Sequence, residues 1–79
     1  MDKEVIKKRF TYYPPKGLQP QTYEAIRSTA CNFANFINNT CPQDSYEKQQ
    51  AIMKIEEAVF WANAAIARHG GGWPEEEAP

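Results

Sequence analysis

A chain of 79 residues forms one domain at most, and it buries only roughly 60% of the surface that its unfolded form exposes. Nine basic and ten acidic residues give a net charge of −1, which argues against the broad basic surface that long nucleic acid requires. One histidine and two cysteines without Cys-x-x-Cys spacing argue against a metal site, so oligomerisation is the favoured aid to stability.

The two ends of the chain differ in charge. Residues 1–16 are basic, whereas the tail is acidic through Glu75, Glu76 and Glu77. Both ends have a simple interpretation as solvated termini, and the basic end has a second one as a site for a small phosphate-bearing ligand. The apolar runs are too short for a bilayer, and MDKEVIKKRF lacks the hydrophobic segment of a signal peptide. We therefore expect a soluble cytoplasmic protein with no membrane partner.

The first twenty residues contain little regular structure by sequence. Residues 1–9 are predicted to form a frayed helical turn or two. Residues 10–20, FTYYPPKGLQP, contain three aromatic residues and three prolines, and proline removes backbone donors. An extended aromatic segment is predicted there. The predicted organisation is a basic segment (1–9), a hairpin domain (10–69) and a flexible acidic tail (70–79).

Two helices are predicted after this segment. The first begins at Pro20, because proline suits the first turn of a helix, and the second runs from about residue 45 to residue 69. In each, apolar residues recur at steps of three and four. The two stripes are Tyr23, Ile26, Ala30, Phe33 and Ile37, and Ile52, Ile55, Val59, Ala62 and Ile66. Because the connection 38–44 is short, the fold class is an all-α antiparallel hairpin with facing stripes.

The second helix carries both a start and a stop in its sequence. Asp44 is predicted to cap it, with Glu47 completing a capping box, and glycines 70–72 end it. Its back is also apolar, since Asn63 is the only polar residue within 58–67. A helix that is apolar nearly all round is buried on more than one side, so a second copy of the chain is the predicted partner.

Catalytic chemistry finds little support in the sequence. Cys31 and Cys41 lie about 15 Å apart along one helix, too far for a disulfide, and are predicted to be two buried thiols. His69 is predicted to stabilise a helix C-terminus, and the adjacent Glu56 and Glu57 point about 100° apart. No glycine-rich phosphate loop or nucleophile elbow is present. An enzyme is therefore disfavoured, and no cofactor or metal is expected.

Aromatic and basic residues support a binding function better than the sequence supports catalysis. Tyr12 and Tyr13 on the proline-stiffened segment have two interpretations, as stacking surfaces for a nucleobase or as a cover for the hairpin. Arg27 and Thr29 lie on opposite flanks of the first stripe, about 160° apart at about 100° per residue, so they cannot easily serve one small ligand within one chain, and in an oligomer they could belong to two different pockets. For Arg27 the alternative is a surface ion pair with Glu24.

A further set of residues lies along the back of the second helix. Lys54, Trp61 and Arg68 follow one another at intervals of seven residues. An arginine can hold a phosphate with two donors at once. The alternative is a solvated lysine and arginine on either side of a tryptophan buried between subunits, and spacing alone does not decide between the two.

Three segments, FTYYPPKGLQPQTYEAIR, CPQDSYEKQQAIMKIEEA and VFWANAAIAR, together resemble the phage Acb/Tad hairpin-domain family of anti-CBASS and Thoeris anti-defence proteins. The likeness covers residues 9–68. It implies a helical protein that assembles into a compact homo-hexamer in the cytoplasm of the infected bacterial host. There it would sequester cyclic nucleotide immune signals without cleaving them. The Thoeris-directed branch is usually longer and has additional strands, so the anti-CBASS branch is preferred.

The resemblance also implies two kinds of binding site. A tyrosine of the F-x-Y motif and a cation early in the next helix hold cyclic dinucleotides such as cyclic GMP-AMP, which corresponds to Tyr12 and Arg27. A separate site for cyclic trinucleotides uses a hydroxyl two residues after that cation and the arginine that closes the long helix, which corresponds to Thr29 and Arg68. Two alternatives stay open: sequestration of Thoeris cyclic ADP-ribose-type signals, and an oligomeric adaptor that binds a host protein.

Overall fold

The computed structural model describes residues 1–41 and 43–72, which form three α-helices. These are α1 (Lys3–Phe10), α2 (Gln19–Thr40) and α3 (Tyr46–His69). No strand occurs in this part of the chain, so the predicted all-α class is confirmed. Most of the predicted acidic tail, including its three glutamates and Trp73, lies outside the described residues.

Helix α1 has about the two turns that the sequence predicted, but its ends are capped rather than frayed. The carboxylate of Asp2 accepts a hydrogen bond from the backbone N–H of Glu4 at 2.9 Å, and three basic residues occupy the last turn. Both features stabilise a helix through its termini and its dipole. Such end effects are not part of apolar periodicity, and this explains the difference.

Residues 11–18 join α1 to α2 without regular secondary structure. At the start of α2, the side chain of Gln19 accepts a hydrogen bond from the Lys16 N–H at 3.0 Å and donates one to the Gly71 carbonyl at 2.8 Å. The beginning of α2 therefore lies beside the end of α3. This contact, with the short connection at the other end, makes the long helices an antiparallel hairpin.

The N-cap of α3 is Ser45, so the prediction of Asp44 at this position is wrong. Ser45 is extended (φ −126°, ψ 162°), and its Oγ accepts a hydrogen bond from the Lys48 N–H at 3.1 Å. Asp44 instead forms an ion pair with the Lys48 ammonium at 3.4 Å. With the cap one residue later, Glu47 stands at the second rather than the third helical position and completes no capping box.

The predicted end of α3 is confirmed. Gly70 follows the last helical residue, His69, and adopts a left-handed φ of +77°, which glycine tolerates without a steric penalty. Its N–H donates to the Ile66 carbonyl at 2.9 Å, which satisfies one of the free acceptors at the helix end.

Loss of the Ser45 cap should weaken the fold measurably. We expect Ser45→Ala to lower the free energy of unfolding by about 1 kcal/mol, because the Lys48 N–H loses its acceptor. Ser45→Thr retains a hydroxyl and should stay within about 0.5 kcal/mol of the wild type. Urea unfolding followed by circular dichroism at one fixed protein concentration measures both. Equal losses in the two variants would contradict the assignment of the cap.

Helices α2 and α3 pack against each other without enclosing a core. Six members of the predicted stripes line one shared groove: Ile26, Ala30, Phe33, Ile55, Val59 and Ala62. The stripes therefore face each other, but no apolar side chain in the described part of the chain is buried, and Phe33 is 54% exposed. The molecule is a flat slab of 44 × 38 × 14 Å, so each long helix has one face without a covering layer.

The outer surfaces of the long helices are strongly apolar. The exposed large side chains that do not line the groove include Phe36 on α2 and Tyr46, Met53, Phe60 and Trp61 on α3. Contiguous exposed apolar patches on soluble proteins commonly mark interaction surfaces. The apolar back that the sequence predicted for the second helix is thus exposed in the single chain.

The two cysteines are free, as predicted, but the prediction that they are buried is wrong for the single chain. Cys31 lies within α2 and Cys41 follows its last residue, and both thiols are exposed. The reason is the flat shape of the chain, which provides no interior for them.

Candidate ligand-binding site

Tyr13 lines three small cavities beside residues 11–18. Its hydroxyl donates a hydrogen bond to the Lys8 carbonyl at 3.2 Å, and its ring is half-buried. Each cavity is named after one of its basic lining residues, as the Arg27 pocket, the Arg68 pocket and the Lys8 pocket. A single ring therefore forms part of the wall of three neighbouring sites.

The Arg27 pocket has a volume of about 430 Å³ and combines aromatic, cationic and amide groups. Its lining residues are Tyr13, Pro15, Tyr23, Arg27, Asn63, Ala64 and Ala67. Aromatic rings offer stacking surfaces to a nucleobase, and a guanidinium offers paired donors to a phosphate. This set of groups suits a ligand that carries both a flat ring and a negative charge.

The guanidinium of Arg27 has no partner within the described part of the chain. No hydrogen bond from it and no carboxylate within 4.0 Å of it occurs there. The ion pair with Glu24 that the sequence left open is therefore not formed. Because an arginine side chain stays charged at any physiological pH, all its donors are available to an anionic ligand.

Asn63 contributes an unusual polar atom to the same pocket. Its Oδ1 atom is buried and accepts no hydrogen bond from any described residue. Buried polar groups without a partner are rare in folded proteins, and each calls for an explanation. The sequence identified Asn63 as the one polar residue in an apolar stretch but gave it no role.

The Arg68 pocket is smaller, about 330 Å³, and strongly basic. It is lined by Tyr13, Pro14, Lys16, Gln19, Ala67, Arg68 and Gly70. Lys16 and Arg68 supply two positive charges, and no carboxylate is among the lining residues. The Arg68 Nη2 donates to the Arg9 carbonyl at 3.3 Å, which fixes one edge of the guanidinium and leaves its other donors for a ligand.

The N-terminal basic segment and the end of α3 meet at this corner of the molecule. The Lys8 ammonium lies 3.4 Å from Nδ1 of His69, and Arg9 accepts the hydrogen bond from Arg68. Lys16, from the following loop, completes the group. The neighbouring Lys8 pocket, about 370 Å³, also contains Glu4, so it is less suited to an anion than the Arg68 pocket.

Tyr12 occupies a different environment from Tyr13. Its side chain is 79% exposed and lines none of the three pockets. In an extended segment successive side chains point to opposite sides, so one of two adjacent tyrosines faces the hairpin and the other faces away. The single chain therefore brings Arg27 together with Tyr13 rather than with Tyr12, and the alternation could have indicated this.

Thr29 lies in the long groove between α2 and α3. This groove measures about 480 Å³ and is lined mainly by the apolar stripes. Arg27 and Thr29 are thus in separate cavities, in agreement with their predicted angular separation. Arg68 lines a third cavity, so one chain alone does not bring Thr29 and Arg68 together.

The predicted line of Lys54, Trp61 and Arg68 does not form one site in the single chain. Lys54 donates to Glu57 Oε2 at 3.3 Å, and the Trp61 indole donates to Oε1 of the same carboxylate at 3.4 Å. The hydrogen bond from Lys54, followed by that from Trp61, lowers the pKa of Glu57 below its usual value of 4.5. Arg68 alone lines a basic pocket, whereas Lys54 fits its alternative interpretation as a solvated surface residue.

Residues 1–41 and 43–72 contain neither a metal-binding cluster nor a membrane-spanning helix. No cluster of three or more histidine, cysteine, aspartate or glutamate side chains there could hold a metal ion. None of the three helices combines the length and the apolar character needed to cross a membrane.

Fold and pockets together define a small all-α hairpin domain with an open apolar surface and a loop that carries aromatic and basic groups. The family model for the Acb2/Tad1 hairpin domain matches residues 2–67. Since the match spans most of the chain, the protein belongs to the Acb2/Tad1 hairpin-domain family, which comprises anti-defence proteins. No curated protein and no solved structure gives a significant match.

The family match covers three of the four residues predicted to bind ligand. Tyr12, Arg27 and Thr29 lie within residues 2–67, and Arg68 follows directly after them. The assignment of Arg68 therefore depends on its position at the end of α3 and on the basic pocket that it lines.

Proposed function

We propose that this protein binds cyclic oligonucleotide immune signals and sequesters them without cleavage, so that CBASS effectors are not activated. The observation that carries the proposal is the Arg27 pocket, in which one cavity is lined by two tyrosines and by Arg27, whose guanidinium has no partner in the described chain. Membership of a family of anti-defence hairpin domains supports the same conclusion. The ligand classes are cyclic dinucleotides, such as cyclic GMP-AMP, and cyclic trinucleotides.

In the dinucleotide site, charge and stacking act together. Arg27 pairs with a phosphate of the ring, and Tyr13 and Tyr23 supply aromatic walls. Stacking on an aromatic ring contributes about 1–3 kcal/mol per base. Tyr12 faces away from the pocket of its own chain, so we propose that it stacks on a ligand in a pocket completed by a neighbouring copy.

In the trinucleotide site, residues of several copies converge on one ligand. Thr29 and Arg68 lie in separate cavities of one chain, and a shared ligand therefore requires them to come from different subunits. Three phosphates related by near symmetry match such a repeated arrangement. The basic corner formed by Lys16 and Arg68 is the part of the chain best suited to neutralise them.

Both proposed sites depend on a compact homo-oligomer, which we propose to be a hexamer. The apolar groove and the exposed aromatic side chains of both long helices supply the surface for its interfaces. Burial of this surface contributes roughly 25 cal/mol for each Å² of apolar area removed from water. The assembly thus supplies the core that the flat single chain lacks.

A single charge on the apolar back of α3 should dissociate the oligomer. We expect Phe60→Glu to shift the protein to monomers, because a carboxylate cannot be buried in an apolar interface without a partner. Gln49→Glu adds the same charge to an exposed position near the start of α3 and should leave the assembly intact. Size-exclusion chromatography with light scattering distinguishes the two. A monomeric wild type, or an unchanged Phe60→Glu oligomer, would contradict the proposed interface.

Calorimetric titration tests the proposed ligand class. The wild-type protein should bind cyclic GMP-AMP tightly and its linearised form at least tenfold more weakly, since only the ring presents both phosphates in a fixed arrangement. A sequestering protein acts by mass action, so its affinity must compete with that of the effector at low ligand concentration. Cyclic ADP-ribose-type signals belong in the same titration series, because they test the Thoeris alternative. Equal affinities for the cyclic and linear forms would contradict recognition of the ring.

An oligomeric adaptor for a host protein is the second candidate function. The exposed side chains of Phe36 and Trp61 favour it, since aromatic residues are enriched in protein interfaces. It does not account for the unpaired Arg27 or for the basic Arg68 pocket. Cyclic nucleotide sequestration is therefore preferred.

A further inference from the structure

The carboxamide of Asn63 lies in the Arg27 pocket but has no role in the proposed function. Arg27 accounts for a phosphate, and the tyrosine rings account for the faces of a base. Neither of these two roles involves the edge of the base. Asn63 lines the same cavity, and its Oδ1 is a buried acceptor without a partner in the described chain.

We infer that Asn63 is a specificity-determining residue, which accepts a hydrogen bond from the exocyclic amino group of a nucleobase bound in the Arg27 pocket. The inference rests on the proposed function, because it assumes a nucleotide ligand. It adds the chemical feature that the pocket selects: a base with an amino donor on its edge, as in adenine, guanine or cytosine.

The chemistry of the ligand favours the base as the partner of this acceptor. The phosphates of a cyclic dinucleotide carry acceptor oxygens and so offer no hydrogen to Oδ1. Its ribose hydroxyls are donors, but they are the same whichever base is attached, so only a donor on the base makes binding depend on the base. Exocyclic amino groups are donors, and asparagine is well suited to read the edge of a base. The Arg27 guanidinium in the same pocket has donors only and cannot accept a hydrogen bond from an amino group.

The inference requires the Asn63 amide to rotate so that its acceptor faces the ligand. The terminal torsion of an asparagine side chain is broad, so its amide turns readily about the Cβ–Cγ bond. Asn63 is half-exposed and borders the cavity, although its Oδ1 atom faces inward. Turning this atom toward an amino group replaces an unsatisfied acceptor by a hydrogen-bonded one. Ligands with the amino group therefore gain an interaction that other ligands do not.

The test compares cyclic di-AMP, cyclic di-GMP and cyclic di-IMP. Hypoxanthine differs from guanine only by the missing 2-amino group and carries a carbonyl where adenine carries its amino group. We expect the wild type to bind at least one of the amino-bearing ligands about tenfold more tightly than cyclic di-IMP, the size of effect of one additional hydrogen bond. Calorimetric titration gives the three dissociation constants.

Matched variants distinguish a loss of selectivity for the amino group from a loss of affinity for all three ligands. Asn63→Leu has a similar volume and no acceptor. The ratio of the dissociation constants for cyclic di-IMP and the preferred amino-bearing ligand should therefore fall to about one. Asn63→Asp retains an acceptor and should keep the preference, while its charge weakens all three anionic ligands. Arg27→Lys should weaken all three to a similar extent and leave the preference unchanged, because it acts on the phosphate.

The outcomes distinguish failure of this inference from failure of the proposed function. A wild type that binds none of the three ligands overturns the proposed function, and with it the inference. A wild type that binds them without preference, or an Asn63→Leu variant that keeps the preference, overturns the inference alone. A structural role for the amide would appear as a lower melting temperature or a dissociated oligomer in Asn63→Leu, and would also overturn it. We expect an unchanged or higher melting temperature, since leucine removes an unsatisfied buried acceptor.

Discussion

Replacement of Arg68 by alanine is expected to abolish cyclic trinucleotide binding and to leave cyclic dinucleotide binding within about twofold of the wild type. Arg68 lines a basic pocket apart from the one that contains Arg27. Hydrogen bonds to charged groups contribute about 1.5–3 kcal/mol each. In the proposed assembly each trinucleotide meets several copies of Arg68, so the variant removes several such contacts at once. We expect a loss of more than about 100-fold, or about 2.7 kcal/mol, for cyclic tri-AMP.

Arg68→Lys is the matched variant for this prediction. It retains the charge but not the planar pair of donors, and should therefore lose about tenfold rather than all binding. Alanine also removes the hydrogen bond to the Arg9 carbonyl, so the melting temperature and the oligomeric state of each variant need to be measured alongside. If Arg68→Ala binds cyclic tri-AMP normally in an intact oligomer, Arg68 is not part of the trinucleotide site.

Replacement of Tyr12 by alanine should have the opposite selectivity. We expect cyclic GMP-AMP binding to fall by about 10- to 100-fold, because a stacking contact of about 1–3 kcal/mol per base is lost, and trinucleotide binding to be unchanged. Tyr12→Phe keeps the ring and should retain most of the affinity. Calorimetric titration of both ligands into both variants measures the effect.

Tyr13→Ala provides the informative comparison for Tyr12. Tyr13 lines both the Arg27 and the Arg68 pockets, so its loss should weaken both ligand classes. Tyr12 lines neither pocket in the single chain, and its effect on dinucleotides depends on a neighbouring copy. If Tyr12→Ala and Arg68→Ala each weaken both ligands equally, the assignment of two separate sites is wrong.

The long helices were predictable because their ends are determined by local chemistry. Pro20 lies in the first turn of α2, and Gly70 ends α3 in a left-handed conformation that other residues seldom adopt. Where two capping residues are adjacent, as at Asp44 and Ser45, sequence does not decide between them. The backbone conformation does, because the cap must be extended with its side chain over the first turn.

The pockets were less predictable because they join distant parts of the chain. The contact between Arg9 and Arg68 spans 59 residues, and no spacing in the sequence indicates it. Arg27 and Thr29, by contrast, are two residues apart on one helix, so their separation into different cavities followed from helical geometry alone. The buried oxygen of Asn63 depends on its packed surroundings and has no counterpart in the sequence pattern.

Burial was overestimated from sequence for a related reason. The apolar stripes, which include Phe33, and the two cysteines were expected inside the protein, yet the single chain leaves them partly or fully exposed. Apolar periodicity indicates which residues leave water but not whether the covering surface belongs to the same chain. The proposed oligomer accounts for this difference.

Release of bound ligand from the denatured protein tests the central claim most directly. The purified oligomer is incubated with cyclic di- and trinucleotides, separated from free ligand, denatured and analysed by chromatography, with Arg27→Ala and Arg68→Ala as controls. We predict that the wild type releases intact cyclic GMP-AMP and cyclic tri-AMP, and that each variant fails to retain one of them. Release of altered nucleotides would show an enzyme, and absence of any retained nucleotide would favour an adaptor; either result would contradict sequestration.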